Sequence, residues 1–397
     1  MFKKSIGVVL ALTVLTVSLA FSGCGGAGGE SGAGSAGEAG EAGAEPPTLT
    51  LAIREINKHG NMILDTTFEE MNAAGMEIGD LITVSVGERE FELPVGTLYT
   101  DVDNGKMVCR FDTEDNVVAL AINYGSFASA AGVAEKRTIE EDPGYEWDVR
   151  FSEVSLRLKE KRGFLDEYTA RHLTRTDVRS DYQALTDEEF ANFRAVSTAG
   201  VKENCLFRSS TPVEPAIGRN EYAMAAMEKA GIRSVVNLDD SVETMKSYDT
   251  FPGSYYSGCA IVNPEMSYDF ENAEFGEKIR ESALFLTETD GPYLIHCKEG
   301  KDRTGILCAV LECFADSPAA DVERDYMITY RNYYGVEPGT PVYDRILTDN
   351  LVKTLCGLFG ISDLEGTDLK EAAGRYLLSV GLSEEQLAKL REKIAEG

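Results

Sequence analysis

Cys297 and Arg303 are separated by five residues in the run His296-Cys297-Lys298-Glu299-Gly300-Lys301-Asp302-Arg303-Thr304-Gly305. A sulfur nucleophile and a guanidinium at this spacing suit phosphoryl transfer. Cysteine attacks as the thiolate, and a free cysteine titrates near ~8.5. The five intervening residues let the backbone curl, so that loop N–H groups point inward at a dianionic phosphoryl group. A following helix adds its positive end to that field, which also suits a charged nucleophile. Arg303 offers a planar fork matched to two phosphoryl oxygens. Thr304 carries a hydroxyl that can be donated to Cys297 when the sulfur leaves in a second step. Gly300 and Gly305 permit tight curvature and close helix packing. Lys298, Glu299, Gly300, Lys301, Thr304 and Gly305 are the expected substrate-binding positions, and His296 orients the loop through hydrogen bonds.

The competing reading is a buried cysteine beside an unrelated polar loop, since free cysteine often acts as a small hydrophobe. Arg, two Lys, Asp and Glu so close to Cys297 argue against it. Cys205, Cys259, Cys308, Cys313 and Cys356 lack such company and read as structural. No cysteine spacing suggests a disulfide framework or a zinc site, and the cysteine mechanism needs no metal or cofactor. A disulfide guarding Cys297 against oxidation is an open alternative.

The elements around the loop follow from the pattern. Tyr293-Leu294-Ile295 reads as a strand before it, and Gly305 to Phe314 as a helix after it. Ser234 to Leu238 and Ala260 to Val262 are further β runs. Asn220 to Lys229, Glu271 to Thr287, Asp321 to Tyr333 and Ser383 to Ile394 read as helices, the last with the capping-box form Ser383-Glu384-Glu385-Gln386. This alternation predicts an α/β fold with a mostly parallel sheet flanked by helices. Cys297 then sits at the C-terminal end of a strand, where open α/β sheets keep their ligands.

Breaking an ester to a poor leaving group requires a general acid. Asp302 inside the loop and Asp269 stand as equal candidates, with Glu265 behind them; Asp302 is a candidate by proximity, and Asp269 by what the family resemblance set out below implies, an acid on a loop roughly 30 residues before the cysteine. Each has a plainer role available: Asp269 could cap the next helix, and Asp302 could hold the loop or pair with Arg208. Asp239 is a weaker supporting candidate.

The loop resembles those of the protein tyrosine phosphatase superfamily, and most closely the bacterial secreted tyrosine-phosphatase-like branch. Leu206-Phe207-Arg208-Ser209-Ser210, Ala230 to Asp239 and Asp325 to Thr329 are similar to further segments of that branch. Asp239 departs from it, standing where the family usually has Arg. The resemblance spans roughly residues 160–395 and implies a phosphocysteine intermediate, with Cys297, Arg303 and one of the Asp residues catalytic and Arg208 supporting. It implies phosphotyrosine in proteins as the leading substrate. Phosphoinositide and phytase-like inositol polyphosphate phosphatases also resemble this loop, Lys298 and Lys301 answering additional phosphates, and form the alternative. A catalytically weak lipoprotein that binds a phospho-ligand is the third reading.

The N-terminus reads as a leader. Lys3-Lys4, an apolar run from Ile6 to Phe21 and then Ser22-Gly23-Cys24 form a signal peptide over residues 1–23. The run before Cys24 resembles a bacterial lipobox, which implies lipidation of Cys24 and attachment to the outer face of the cytoplasmic membrane. Residues 24–47, rich in Gly, Ala and Glu, make a flexible tether. The chain has 38 basic against 67 acidic residues, a net charge of −29, which argues against nucleic acid as a partner. Residues 48–145 read as a small β-barrel-like domain, with a hairpin across Gly87-Glu88-Arg89 and strands over 106–111 and 117–122. Gly79-Asp80 and Ala121 to Ser126 make this segment similar to the C-terminal domain of SAM-hydroxide adenosyltransferases. The catalytic domain is placed over 146–397, with the boundary near 145.

Overall fold

The computed structural model describes residues 47–140, 144–270 and 272–396. The proposed signal peptide, the Cys24 lipidation site and nearly all of the tether lie outside the described residues. Among the described residues no helix is long and apolar enough to cross a membrane.

A barrel comes first. Its strands are β1 (Thr48–Ile56), β2 (Met62–Leu64), β3 (Leu81–Val86), β4 (Arg89–Gly96), β5 (Met107–Asp112) and β6 (Val117–Ile122). A hairpin of β7 (Ala134–Thr138) and β8 (Tyr145–Val149) stands apart from them, and β9 (Glu153–Glu160) completes the set. The order β1-β2-β6-β5-β4-β3-β9 closes because β9 pairs antiparallel with both β1 and β3. The expected boundary near 145 is therefore too early: residues 153–160 are a barrel strand. Their alternation reflects burial of Val154 and Leu156 in the barrel core, beside Val84, Leu93 and Phe111. The buried Asp80 locks the closure. Its Oδ1 accepts from the Arg162 amide at 2.8 Å, and its Oδ2 from Lys161 Nζ at 3.1 Å.

The second sheet is formed by β10 (Arg194–Ala195), β11 (Leu206–Ser209), β12 (Ser234–Asn237), β13 (Ala260–Val262) and β14 (Tyr293–His296). Their order is β10-β11-β14-β12-β13, with β14 central and only the β10–β11 pair antiparallel. Alternate residues enter two different cores. Leu206, Val236, Tyr293 and Ile295 pack into one, and Phe207, Val235 and Leu294 into the other. Burial on both faces explains why these strands read as continuous apolar runs. Two-sided burial also makes the register specific, which fixes where β14 ends and the loop begins.

Helix ends follow local capping chemistry. Helix Ala273–Glu288 is capped by Asn272, whose side chain accepts from the Glu274 amide, so Asp269 is not its cap. Helix Glu384–Ile394 has the expected Ser383/Gln386 capping box. Helix Asp302–Phe314 begins three residues before the expected Gly305, so Asp302, Arg303 and Thr304 form its first turn.

Candidate active site

The loop leaves β14 at His296, which is fully buried. His296 Nδ1 lies 3.2 Å from the Cys297 carbonyl, and Nε2 lies 2.7 Å from the Tyr256 hydroxyl. A carbonyl only accepts, so Nδ1 carries the proton and Nε2 accepts from Tyr256. Burial pushes this imidazole down to about 4, keeping it neutral and suited to orienting the loop. Cys297 follows, 2% exposed.

Past Cys297 the loop has a marked polarity. Its carbonyls are held outward: Lys298 O accepts from the Thr211 amide at 3.1 Å, and Glu299 O from Tyr333 Oη at 2.7 Å and Asn192 Nδ2 at 3.2 Å. Gly300 O accepts from Arg208 Nη2 at 3.0 Å and Asn192 Nδ2 at 3.1 Å. Lys301 O accepts from the Gly305 amide at 2.9 Å. The amides of Lys298, Glu299, Gly300 and Lys301 have no acceptor among the described residues. Successive backbone amides without acceptors are a donor set suited to an anion, and the loop they line is called the cradle below.

Gly300 makes the curl possible. Its φ is +68°, and a Cβ there would lie 2.1 Å from the Ser209 carbonyl. Gly305 is constrained by packing alone, since a Cβ would lie 2.6 Å from the Tyr326 ring. Arg208, fully buried, pairs with Asp325 at 2.7 Å. It does not pair with Asp302, as had been one expectation, because it runs behind the loop toward helix Ala319–Tyr334. Thr304 Oγ1 is buried with no hydrogen-bond partner, so the expected bond to Cys297 is not formed here.

Arg303 lies across the mouth of the cradle, 4% exposed. Nη1 donates to the carbonyls of Leu238 at 3.3 Å and Met266 at 3.2 Å. Nη2 donates to Asp239 Oδ1 at 2.6 Å and Tyr268 Oη at 2.7 Å, and the Tyr268 ring stacks 4.2 Å from the guanidinium. Nε is buried without a partner. Asp239 is thus a direct partner of Arg303, a larger role than its sequence position suggested. Tyr268 was missed because an exposed tyrosine in a loop carries no signal of its own.

Asp302 and Asp269 part company. Asp302 keeps 30% of its side-chain surface but is crowded by Lys301, Glu299 and Tyr330, whose hydroxyl donates to Oδ1 at 3.3 Å. Burial raises its carboxyl above its usual value; Lys301 and the Tyr330 hydroxyl oppose the rise, and Glu299 adds to it. Asp269 is exposed, as is Glu265. Asp269 borders a cavity of about 1010 Å³ that adjoins the site through Tyr268.

The loop cations are compensated. Lys298 Nζ pairs with Glu214 at 2.7 Å. Lys301 Nζ lies 3.5 Å from Glu299 and 3.7 Å from Asp302, and 3.3 Å from the Tyr334 hydroxyl. Burial works to raise the Glu299 carboxyl, but Lys301 and Arg175 outweigh it and hold it below its usual range. All seven cysteines of the described residues are free thiols.

With this geometry in place, residues 187–346 match the model of a family described as the tyrosine phosphatase family. Residues 52–140 match the SAM hydroxide adenosyltransferase C-terminal domain. A tyrosine-protein phosphatase from Nostoc commune is 27% identical over 124 residues, 28% of this chain and 41% of its own length, so the chain spans about two fifths of that relative. Among solved structures, an uncharacterized conserved protein from Thermotoga maritima is 18% identical with a TM-score of 0.22, covering 28% of this chain and 36% of its own. The core catalytic domain of a PP-IP phosphatase from S. cerevisiae in complex with citrate is 19% identical with a TM-score of 0.27, covering 40% of this chain and 85% of its own. Residues 187–346 are therefore similar to the tyrosine phosphatase family, and residues 52–140 to the C-terminal domain of the SAM hydroxide adenosyltransferases.

Proposed function

We propose that this chain is a cysteine-dependent phosphomonoester hydrolase whose substrate is phosphotyrosine in proteins. The observation that carries the reading is the polarity of the loop between Cys297 and Arg303, with carbonyls tied to neighbouring elements and amides left without acceptors. The unpartnered Nε of Arg303 extends that row of donors. Donors fixed in this way stabilise charge without reorganising during the reaction.

In the first step the Cys297 sulfur attacks phosphorus in line. The S–P bond forms, the P–O ester bond breaks, and its electron pair leaves on the phenolic oxygen. Asp302 protonates that oxygen: burial raises its carboxyl, which favours the proton-bearing form, and it adjoins Arg303 in the helix's first turn. In the second step water attacks phosphorus and gives its proton to the Asp302 carboxylate. The S–P bond breaks, and the unpaired Thr304 hydroxyl is available to the departing sulfur.

Charge favours a phosphotyrosine over an inositol polyphosphate. Several phosphates on one ring need several free cations, yet Lys298 is paired with Glu214, and Lys301 faces Glu299 and Asp302. The exposed Tyr268 ring gives the mouth an aromatic wall for an aryl leaving group. The leader sequence supports an exported form lipid-anchored through Cys24 on the outer face of the cytoplasmic membrane, tested by fatty-acid labelling of wild type against Cys24→Ala.

Phosphate release, measured in reductant, tests the reading on phenyl phosphate, phosphotyrosine peptides, a phosphoinositide and inositol hexakisphosphate. Phosphotyrosine peptides are expected to have the highest kcat/KM, and Cys297→Ser to lose more than about 10³-fold in turnover. Full activity in Cys297→Ser would overturn the nucleophile. Preference for the inositol substrates would overturn the substrate class. Silence on all four with a folded chain would leave the phospho-ligand binding module.

A further inference from the structure

Between the last barrel strand, β9, and residue 187, where the family match begins, lies a segment that reaches the phosphoryl loop. Arg175 Nη2 donates to Glu299 Oε1 at 2.7 Å, and the guanidinium lies 5.3 Å from the Tyr333 ring centroid. Arg175 also pairs with Asp177, and its side chain is 11% exposed.

The backbone that carries Arg175 is pinned on both sides. Downstream, the carbonyl of Thr176 accepts from the buried Arg219 Nη2 at 3.0 Å and from the Tyr182 hydroxyl at 2.9 Å. Upstream, His172 Nε2 shares a 2.7 Å hydrogen bond with Asp101 of the barrel. The preceding helix Leu165–Arg171 packs on helix Pro341–Ile346, with Glu167 paired to Arg345 at 3.0 Å. A run of fixed contacts therefore leads from the barrel to Glu299.

We propose that Arg175 is a positioning residue for the loop: by clamping Glu299 outside the cradle it leaves Lys301 as the counter-charge of Asp302, and it makes the barrel's attachment part of the catalytic site. The inference rests on the reading of Asp302 as the general acid. Glu299 Oε2 and Asp302 Oδ2 lie 3.5 and 3.7 Å from the same Lys301 ammonium and compete for it. Arg175 takes the other Glu299 oxygen and weakens that competition. The charged and titratable groups facing Asp302 are Glu299, Lys301 and Arg303 from the loop, Tyr326 and Tyr330 from helix Ala319–Tyr334, and Tyr268 from the segment after β13. Loss of Arg175 draws Lys301 toward Glu299. Asp302 then holds its proton more tightly, and the cradle becomes more negative.

The test is a double-mutant cycle on the full chain with Arg175→Gln, Glu299→Gln and both, read by the pH–rate profile and KM on phenyl phosphate. Arg175→Gln is expected to raise KM about tenfold and move the alkaline limb upward, and Glu299→Gln to move that limb downward. With Glu299 already Gln, Arg175→Gln is expected to change KM by less than about twofold. An equal effect in both backgrounds would overturn the clamp. Arg175→Lys, which keeps the charge but loses the two-carboxylate fork, is expected to displace the limb less than Arg175→Gln; a limb displaced as in Arg175→Gln would overturn the electrostatic role.

A turnover-free arm separates this inference from the reaction beneath it. Calorimetry of inorganic phosphate binding to Cys297→Ser is expected to weaken when Arg175→Gln is added, and unchanged binding would overturn the clamp. If weakened binding persists while Asp302→Asn keeps the alkaline limb, the clamp stands and the assignment of the acid falls.

Discussion

At the scale of single residues, Asp302 and Asp269 are told apart by their effect on the pH–rate profile. Asp302 must carry a proton when the leaving oxygen departs, so turnover should fall as pH rises through its raised pKa. Asp302→Asn is expected to lower kcat on phenyl phosphate by about 10²-fold or more and to abolish the alkaline limb. The loss should be smaller on p-nitrophenyl phosphate, whose leaving group needs little proton assistance. Asp269→Asn should change neither, and a loss of the limb in that variant would move the acid to Asp269. Tyr268 occupies one donor of the Arg303 fork with a neutral hydroxyl at 2.7 Å. A dianionic phosphoryl oxygen is the stronger acceptor, so Tyr268 must yield when substrate binds. Tyr268→Phe keeps the ring and removes the competing oxygen; inorganic phosphate should inhibit it about 2- to 10-fold more tightly, on the scale of one net hydrogen bond. Weaker inhibition would show that the hydroxyl helps hold the anion.

At the scale of elements, the loop holds its shape because its neighbours bind its carbonyls. β11 supplies Arg208, helix Ala319–Tyr334 supplies Tyr333, and the turn before β10 supplies Asn192, while Asp325 of that helix holds Arg208 in place. Arg208 and Arg194 flank the buried Asp325, an arrangement that costs several kcal/mol when one member is removed. The tightest point is the contact of Gly300 with β11. Gly300→Ala places a methyl 2.1 Å from the Ser209 carbonyl at a φ of +68°. Activity is expected to fall more than about 10²-fold, because displacing the loop by an ångström misaligns nucleophile and fork. A thermal melt will show whether the fold survives, and wild-type turnover in Gly300→Ala would refute the close approach.

At the scale of the whole molecule, a net charge of −29 opposes an anionic substrate. The cradle attracts it over a few ångströms, whereas the overall field repels it from farther out. Screening acts mainly on the longer-range part. KM for an acidic phosphopeptide should therefore fall as ionic strength rises from about 10 to about 150 mM, where the Debye length is about 8 Å. A rising KM would mean that the local positive field governs encounter. The barrel belongs to the same compact unit as the catalytic sheet, spanning Pro46–Gly397. Its last strand, β9, runs straight into the helix and segment that deliver Arg175.

The chemistry of the loop was legible because it is contiguous. Cys297, the glycines, Asp302 and Arg303 lie within one turn of chain, and apolar runs on either side announce a strand and a helix. Helices with a local cap, such as Glu384–Ile394, were legible for the same reason. The partners that make the loop a site were not. Tyr268 and Arg175 reach it from distant parts of the chain, Asp325 reaches it through Arg208, and Asp239 was visible only as a supporting candidate; no periodicity records a meeting across a fold. The different burial of Asp302 and Asp269 was equally hidden, since local sequence does not specify which carboxylate other elements will crowd. The barrel boundary moved past 145 because β9 looks alike from sequence whether it opens one domain or closes another; only its pairing with β1 and β3 decides. Local sequence determined the candidate reacting groups and the strand, loop and helix that carry them, and long-range packing decided which charges surround them.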